Sequence, residues 1–107
     1  MPTADALRAI VEATEAAFPA GAQPAWTASN HDVGRFPSRW CAGDPARIRC
    51  ALVALLTLRG TPFLYYGDEI GMTEVPISGD DVRDGPGLIG DAQVVRDPGR
   101  TPMPWSA

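Results

Sequence analysis

The stretch from residue 44 to residue 67 restricts the fold more than any other part of the chain. Asp44 followed by Pro45 is a helix start: the carboxylate can accept from free amide groups of the first turn, and a proline there gives up an N–H that would have no partner. Ile48, Leu52, Leu55 and Leu56 then stripe one face. Arg59 is placed to complement the C-terminal dipole, and Gly60 is expected to end the helix in a left-handed conformation. Residues 61–66 are apolar and aromatic between Gly60 and Gly67, the pattern of a strand buried on both faces. Asp68 and Glu69 follow at once. A helix feeding such a strand needs a parallel neighbour.

That neighbour lies upstream. Leu7, Ile10, Val11 and Phe18 fall at helical intervals in an Ala-rich segment stopped by Pro19 and Gly21, which predicts a helix over about 4–18. Residues 24–29 read as a short buried strand whose polar end is Asn30-His31-Asp32, and residues 33–43 read as a loop carrying Arg35, Pro37, Arg39 and Trp40. Helix, strand, helix and strand in this order predict a right-handed α/β repeat with a parallel sheet, whose functional groups gather at the C-terminal ends of the strands. Two strands cannot close a sheet, and a (β/α)₈ TIM barrel takes about 250 residues, so the pattern predicts part of a barrel. The repeats fill residues 1–70, and residues 71–107 are expected to form an irregular loop region, with Leu88-Ile89 and Val94-Val95 as its strand candidates.

Composition excludes several functions. The net charge of −4 comes with no run of basic residues, so nothing in the chain matches a phosphate backbone or an anionic membrane, and neither nucleic acid nor membrane is expected as a partner. No stretch approaches the ~20 apolar residues of a membrane span. Met1-Pro2-Thr3-Ala4-Asp5 lacks the layout of a signal peptide, which makes the cytoplasm the expected compartment. All nine basic residues are Arg, an outcome of coding bias rather than chemistry. Cys41 and Cys50 have neither metal spacing nor a disulfide framework around them and are expected to be free thiols. With His31 the single histidine, no metal or other cofactor is expected, and Gly85-Pro86-Gly87 does not make a nucleotide-binding turn.

Two polar clusters remain. In the first, His31 adjoins Asp32 at a strand end, flanked by Asn30 and Arg35. Asp32 near Arg35 would stay ionised, His31 could donate to a hydroxyl, and a guanidinium could hold sugar hydroxyls. Such a site suits neutral polyols, although a His-Asp pair can equally be a local hydrogen-bonded cap. In the second, Tyr65 and Tyr66 lead into Asp68 and Glu69, a combination suited to carbohydrate or to a cation; the acids could instead cap the next loop or pair with an arginine. Two carboxylates about 5 Å apart define a retaining glycosidase, and on chemistry alone Asp32 and Glu69 would be nominated.

Three segments together decide otherwise. Ser29-Asn30-His31-Asp32-Val33-Gly34-Arg35, the run from Leu55 through Tyr65-Tyr66-Gly67-Asp68-Glu69 to Met72, and Arg96-Asp97-Pro98-Gly99-Arg100-Thr101-Pro102-Met103-Pro104-Trp105 closely resemble glycoside hydrolase family 13, the α-amylase superfamily. Within it the chain looks most like the oligo-1,6-glucosidase and α-glucosidase branch. The resemblance implies that the chain is the C-terminal part of a catalytic barrel: its sixth helix, seventh strand, seventh helix, eighth strand and following loop. It also implies that Asp32 stabilises the transition state rather than acting as nucleophile, with His31, Asn30, Arg35 and Arg100 binding the sugar. The nucleophilic aspartate and the acid glutamate of the family belong to its fourth and fifth strands, which have no counterpart here. The implied function is part of a retaining α-glucosidase acting on α-glucoside oligosaccharides, with the 107-residue chain inactive alone. Two alternatives stand beside it: a non-catalytic truncated product or half-barrel that needs the missing half as partner, and a sucrose or trehalose isomerising enzyme. The heavy chains of amino-acid transporters share these motifs too, but would need a membrane span.

Overall fold

The computed structural model describes residues 2–84 and 96–105, together with the backbone of 87–89 and 92–94. Its best-specified element is the helix Pro45–Thr57 (α3, following α1 Ala4–Ala17 and α2 Phe36–Arg39). The Asp44 carboxylate accepts from Ala46 N at 2.8 Å and Arg47 N at 3.3 Å, as a capping aspartate should. Ile48 and Leu55 are buried, Leu52 is half-buried, and Leu56 is exposed. The end of α3 differs from expectation. The helix stops at Thr57, with Leu58 already extended, so Gly60 does not cap it and Arg59 is not in its last turn. Arg59 is drawn away because its guanidinium pairs with Glu15 of α1 and donates to Ala22 O at 3.0 Å.

Gly60 has a different duty. A Cβ there would overlap the Pro24 carbonyl oxygen, while with glycine Thr61 N reaches that same oxygen at 3.0 Å. This contact opens the parallel pairing of β1 (Ala25–Thr27) with β2 (Thr61–Phe63), in register Ala25–Thr61, Trp26–Pro62 and Thr27–Phe63. Trp26 Nε1 adds a donor to Arg59 O at 2.8 Å. The parallel sheet is as expected, but each strand is three residues long rather than six. β2 is also not buried on both faces: Thr61 and Phe63 are exposed, Phe63 by 57%, and so is Leu64 just beyond it. The physical reason is that no further strand among the described residues covers this two-stranded sheet.

The loop expected over 33–43 contains a short helix, α2 (Phe36–Arg39). Ser29 Oγ accepts from Phe36 N at 2.9 Å, and both Phe36 and Pro37 are fully buried. The core is therefore Ala28, Phe36, Cys41, Ile48 and Leu55, with Trp26, Trp40, Ala51 and Leu52 packed against it. The helix α1 has its predicted extent, starting at a Thr3 cap, yet none of its residues is buried, and Leu7, Ile10 and Phe18 stay exposed. Among the described residues past Gly71 the regular elements are short turns and an antiparallel pair, β3 (Gly87–Ile89) and β4 (Ala92–Val94); Val95, the second half of one strand candidate, lies outside the described residues. Cys41 and Cys50 are both free, and among the described residues no helix is long and apolar enough to cross a membrane.

Candidate active-site edge at the strand ends

Beyond β1 the chain turns on the side chain of Asn30, whose Oδ1 accepts from Asp32 N at 2.8 Å and Val33 N at 3.0 Å. An asparagine that mimics a backbone turn in this way leaves the two residues it brackets facing outward. The His31 and Asp32 side chains are 70% and 50% exposed, with His31 Nε2 3.2 Å from Asp32 Oδ2. The cap that chemistry allowed at this point is thus made by Asn30, and the imidazole and carboxylate stay on the surface.

Two guanidiniums hold Asp32 from the irregular half of the chain. Arg96 Nη1 lies 2.6 Å and Arg100 Nη2 3.4 Å from Asp32 Oδ1, and Arg100 Nε donates to His31 O at 2.8 Å. The hydrogen bond from Arg96 holds the Asp32 carboxyl below the ordinary range; burial opposes it, and the charges of His31, Arg96 and Arg100 add to the lowering. The other side of both arginines belongs to Asp84. Arg96 Nε and Nη2 grip it at 2.5 and 2.9 Å, and Arg100 Nη1 lies 3.3 Å from it. Its carboxyl too is lowered, first by the Arg96 hydrogen bond, while Arg96 is raised by Asp84 and then by Asp32.

Arg35 does not stand with Asp32 as expected. It is fully buried, donating from Nη1 to Tyr66 O at 2.5 Å, with its guanidinium 5.0 and 4.6 Å from the ring centres of Tyr65 and Tyr66. A planar cation with a long apolar stem stacks well on aromatic faces, and this outweighs its nearness in sequence to Asp32. Asp68 is buried close by, accepting from Tyr65 N at 3.1 Å; burial pushes its carboxyl up, opposed by a Ser29 hydrogen bond, the Tyr65 amide and the Arg35 charge. Tyr66 Oη donates to Thr101 O at 2.9 Å and so ties this buried cluster to the segment carrying Arg100. Glu69 lines a separate hollow with Pro45 and Ile48, so the pair of Asp32 and Glu69 that chemistry alone would nominate is not assembled.

Around Asp32 the surface forms a hollow of about 50 Å³ lined by His31, Val33, Gly34, Glu74, Arg96 and Gly99. A Cβ at Gly34 would come within 2.5 Å of Glu74 Oε1, so any side chain there would push the flexible Glu74 carboxylate aside. An ionised carboxylate on a fixed turn, beside an imidazole and two arginines, can accept hydroxyl hydrogen bonds and oppose positive charge developing next to it. Sequence reasoning missed Arg96 and Asp84. The one available signal was Arg96 itself, four residues from Arg100 in the Arg96-Asp97-Pro98-Gly99-Arg100 segment, where the short turn Asp97–Gly99 brings the two to the same side. Among the described residues no group of three His, Cys, Asp or Glu could hold a metal ion.

The family model described as the alpha amylase catalytic domain matches residues 1–107. Maltase 1 of Drosophila virilis is 39% identical over 94 residues, which is 83% of this chain and 14% of that protein. The alpha-glucosidase of Apis mellifera is 37% identical over 92 residues, 82% of this chain and 16% of that protein. The chain thus spans about a seventh of the length of these curated relatives. Among solved structures, the alpha-glucosyl transfer enzyme XgtA superposes with a TM-score of 0.85 at 36% identity, over 99% of this chain and 20% of XgtA.

Proposed function

The chain belongs to the alpha-amylase catalytic-domain family, and on that premise we propose that it forms part of a retaining α-glucosidase-type glycoside hydrolase acting on α-glucosidic bonds of oligosaccharides. In this reading α1 is the sixth barrel helix, β1 the seventh strand, α3 the seventh helix and β2 the eighth strand of a (β/α)₈ barrel. The observation that carries the proposal is the exposed Asp32 carboxylate fixed between Arg96 and Arg100 past the end of β1. Cleavage of a glycosidic bond passes through an oxocarbenium-like state, and an acid that stays ionised and accepts from the sugar hydroxyls lowers its energy. Asp32 has that role. His31 and Arg100 supply donors to the same sugar, Asn30 shapes the turn, and Arg35 supports the site from beneath the tyrosines.

The nucleophile and the general acid come from outside the chain. Asp84, the other acid of the cluster, is tied to both arginines and is not free to attack. The small share of each relative that the chain spans, and the exposed Phe63 and Leu64, support a barrel completed by further strands. The test is hydrolysis of p-nitrophenyl α-glucoside: no turnover by the 107-residue chain, and turnover once the rest of the barrel is supplied. Hydrolysis by the chain alone would overturn the division of labour. A compact monomer of this chain that melts cooperatively would argue against its need for the missing half.

The likeness to an alpha-glucosyl transfer enzyme favours one second reading, in which a sugar hydroxyl rather than water resolves the glycosyl intermediate. Isomerisation of sucrose or trehalose is the internal version of that transfer. Product analysis decides between them: glucose alone marks a hydrolase, and new disaccharides or longer sugars mark a transferase or isomerase.

A further inference from the structure

We infer that Asp84 is a positioning residue for the Asp32 site: its carboxylate orients the guanidiniums of Arg96 and Arg100 so that each turns one N–H toward Asp32 Oδ1. The inference rests on the reading of Asp32 as the sugar-binding, charge-stabilising acid. It starts from the fork geometry of arginine. Nε and Nη2 of Arg96 both bond Asp84, at 2.5 and 2.9 Å, and a planar guanidinium with two donors fixed has its third direction fixed as well. That third donor, Nη1, meets Asp32 at 2.6 Å. Arg100 repeats the arrangement more loosely, with Nη1 3.3 Å from Asp84 and Nη2 3.4 Å from Asp32.

Asp84 is itself held to the turn that carries both arginines. Its amide donates to Asp97 Oδ2 at 3.0 Å, and Arg83 N donates to the same oxygen at 2.7 Å. The Asp97 carboxylate therefore places residues 83 and 84, Asp84 places the two guanidiniums, and these place Asp32. The Asp84 side chain is only 18% exposed and does not line the hollow beside Asp32, so its effect on a bound sugar passes through the arginines. Charge adds a second reason. Two arginines and two aspartates balance; without Asp84, both guanidiniums would close on Asp32 and saturate the lone pairs that sugar hydroxyls need.

The test compares Asp84→Asn and Asp84→Glu in the intact enzyme that carries this segment. Asp84→Asn keeps the shape and removes the charge, so kcat/KM on p-nitrophenyl α-glucoside should fall by about tenfold or more at an unchanged melting temperature, with Asp84→Glu recovering most of it. In the same intact enzyme, ¹³C titration should show Asp32 ionising at lower pH in Asp84→Asn than in the wild type. The inference is overturned if Asp84→Asn stays within about twofold of wild type, if its loss merely follows a lower melting temperature, or if the Asp32 titration does not move. A wild-type enzyme with no α-glucoside turnover, or one in which Asp32→Asn is fully active, would instead sink the underlying reading of the site.

Discussion

Asp32 and Asp68 occupy comparable places, each a few residues past the end of one of two adjacent parallel strands, and the fold treats them in opposite ways. Asp32 is half exposed and kept ionised by two arginines, whereas Asp68 is fully buried, pushed up by desolvation and used to receive the Tyr65 amide. The difference teaches that position at a strand end does not by itself decide whether an acid stays ionised at the surface. What matters is whether the fold supplies cations to the solvent side of the carboxylate or encloses it in the core.

Substitutions can break or sharpen this contrast. The largest effect is expected for Asp32→Asn in the intact enzyme, which should lose about a thousandfold in kcat while melting like the wild type; a loss of fold instead would make Asp32 another Asp68. Next comes Arg35→Ala. It strips two tyrosine faces of their cation and leaves buried Asp68 without the positive charge of Arg35, so urea denaturation should report a loss of about 3 kcal/mol. Asp68→Ala frees the Tyr65 amide and should cost about 2 kcal/mol by the same measurement. Little change would mean that the buried acid is dispensable.

Titration separates the two acids by sign. The folded Asp68 carboxyl is raised, so its contribution to stability is present below the ordinary carboxylate value and is lost as pH rises through its own. The Asp32 carboxyl is lowered, so its contribution is present above the ordinary value and disappears only as pH falls through its own. Carboxyl ¹³C shifts should therefore bracket the ordinary value from opposite sides, and titration on the same side would erase the distinction. The smallest effect is reserved for Asp44→Ala, remote from both acids: loss of the bonds to Ala46 N and Arg47 N should lower the melting midpoint by a few degrees and leave the two titrations alone.

Local signals were legible in the sequence and long-range ones were not. The Asp44-Pro45 start, the extent of α1 and the parallel helix–strand order all follow from capping chemistry and periodicity acting over a few residues. The short helix α2 was hidden because its start depends on Ser29, seven residues away from Phe36. The end of α3 was misjudged because Arg59 answers to Glu15 on another helix rather than to its own dipole. At the site, Asn30, His31 and Asp32 were found as a motif, but proximity in sequence suggested Arg35 as the partner of Asp32. The true partner, Arg96, lies 64 residues on, and no periodicity links such positions.

The pairing of Asp97 with the amides of Arg83 and Asp84 has one more consequence. Together with the grip of Arg96 on Asp84, it ties residues 83–84 to residues 96–97, on either side of the antiparallel β3–β4 pair in sequence. A loop tied off at its own base can be lengthened, shortened or rewritten above the knot while everything below stays put. Here that makes the β3–β4 segment the part of the chain where length and sequence can change with least effect on the acid at its foot.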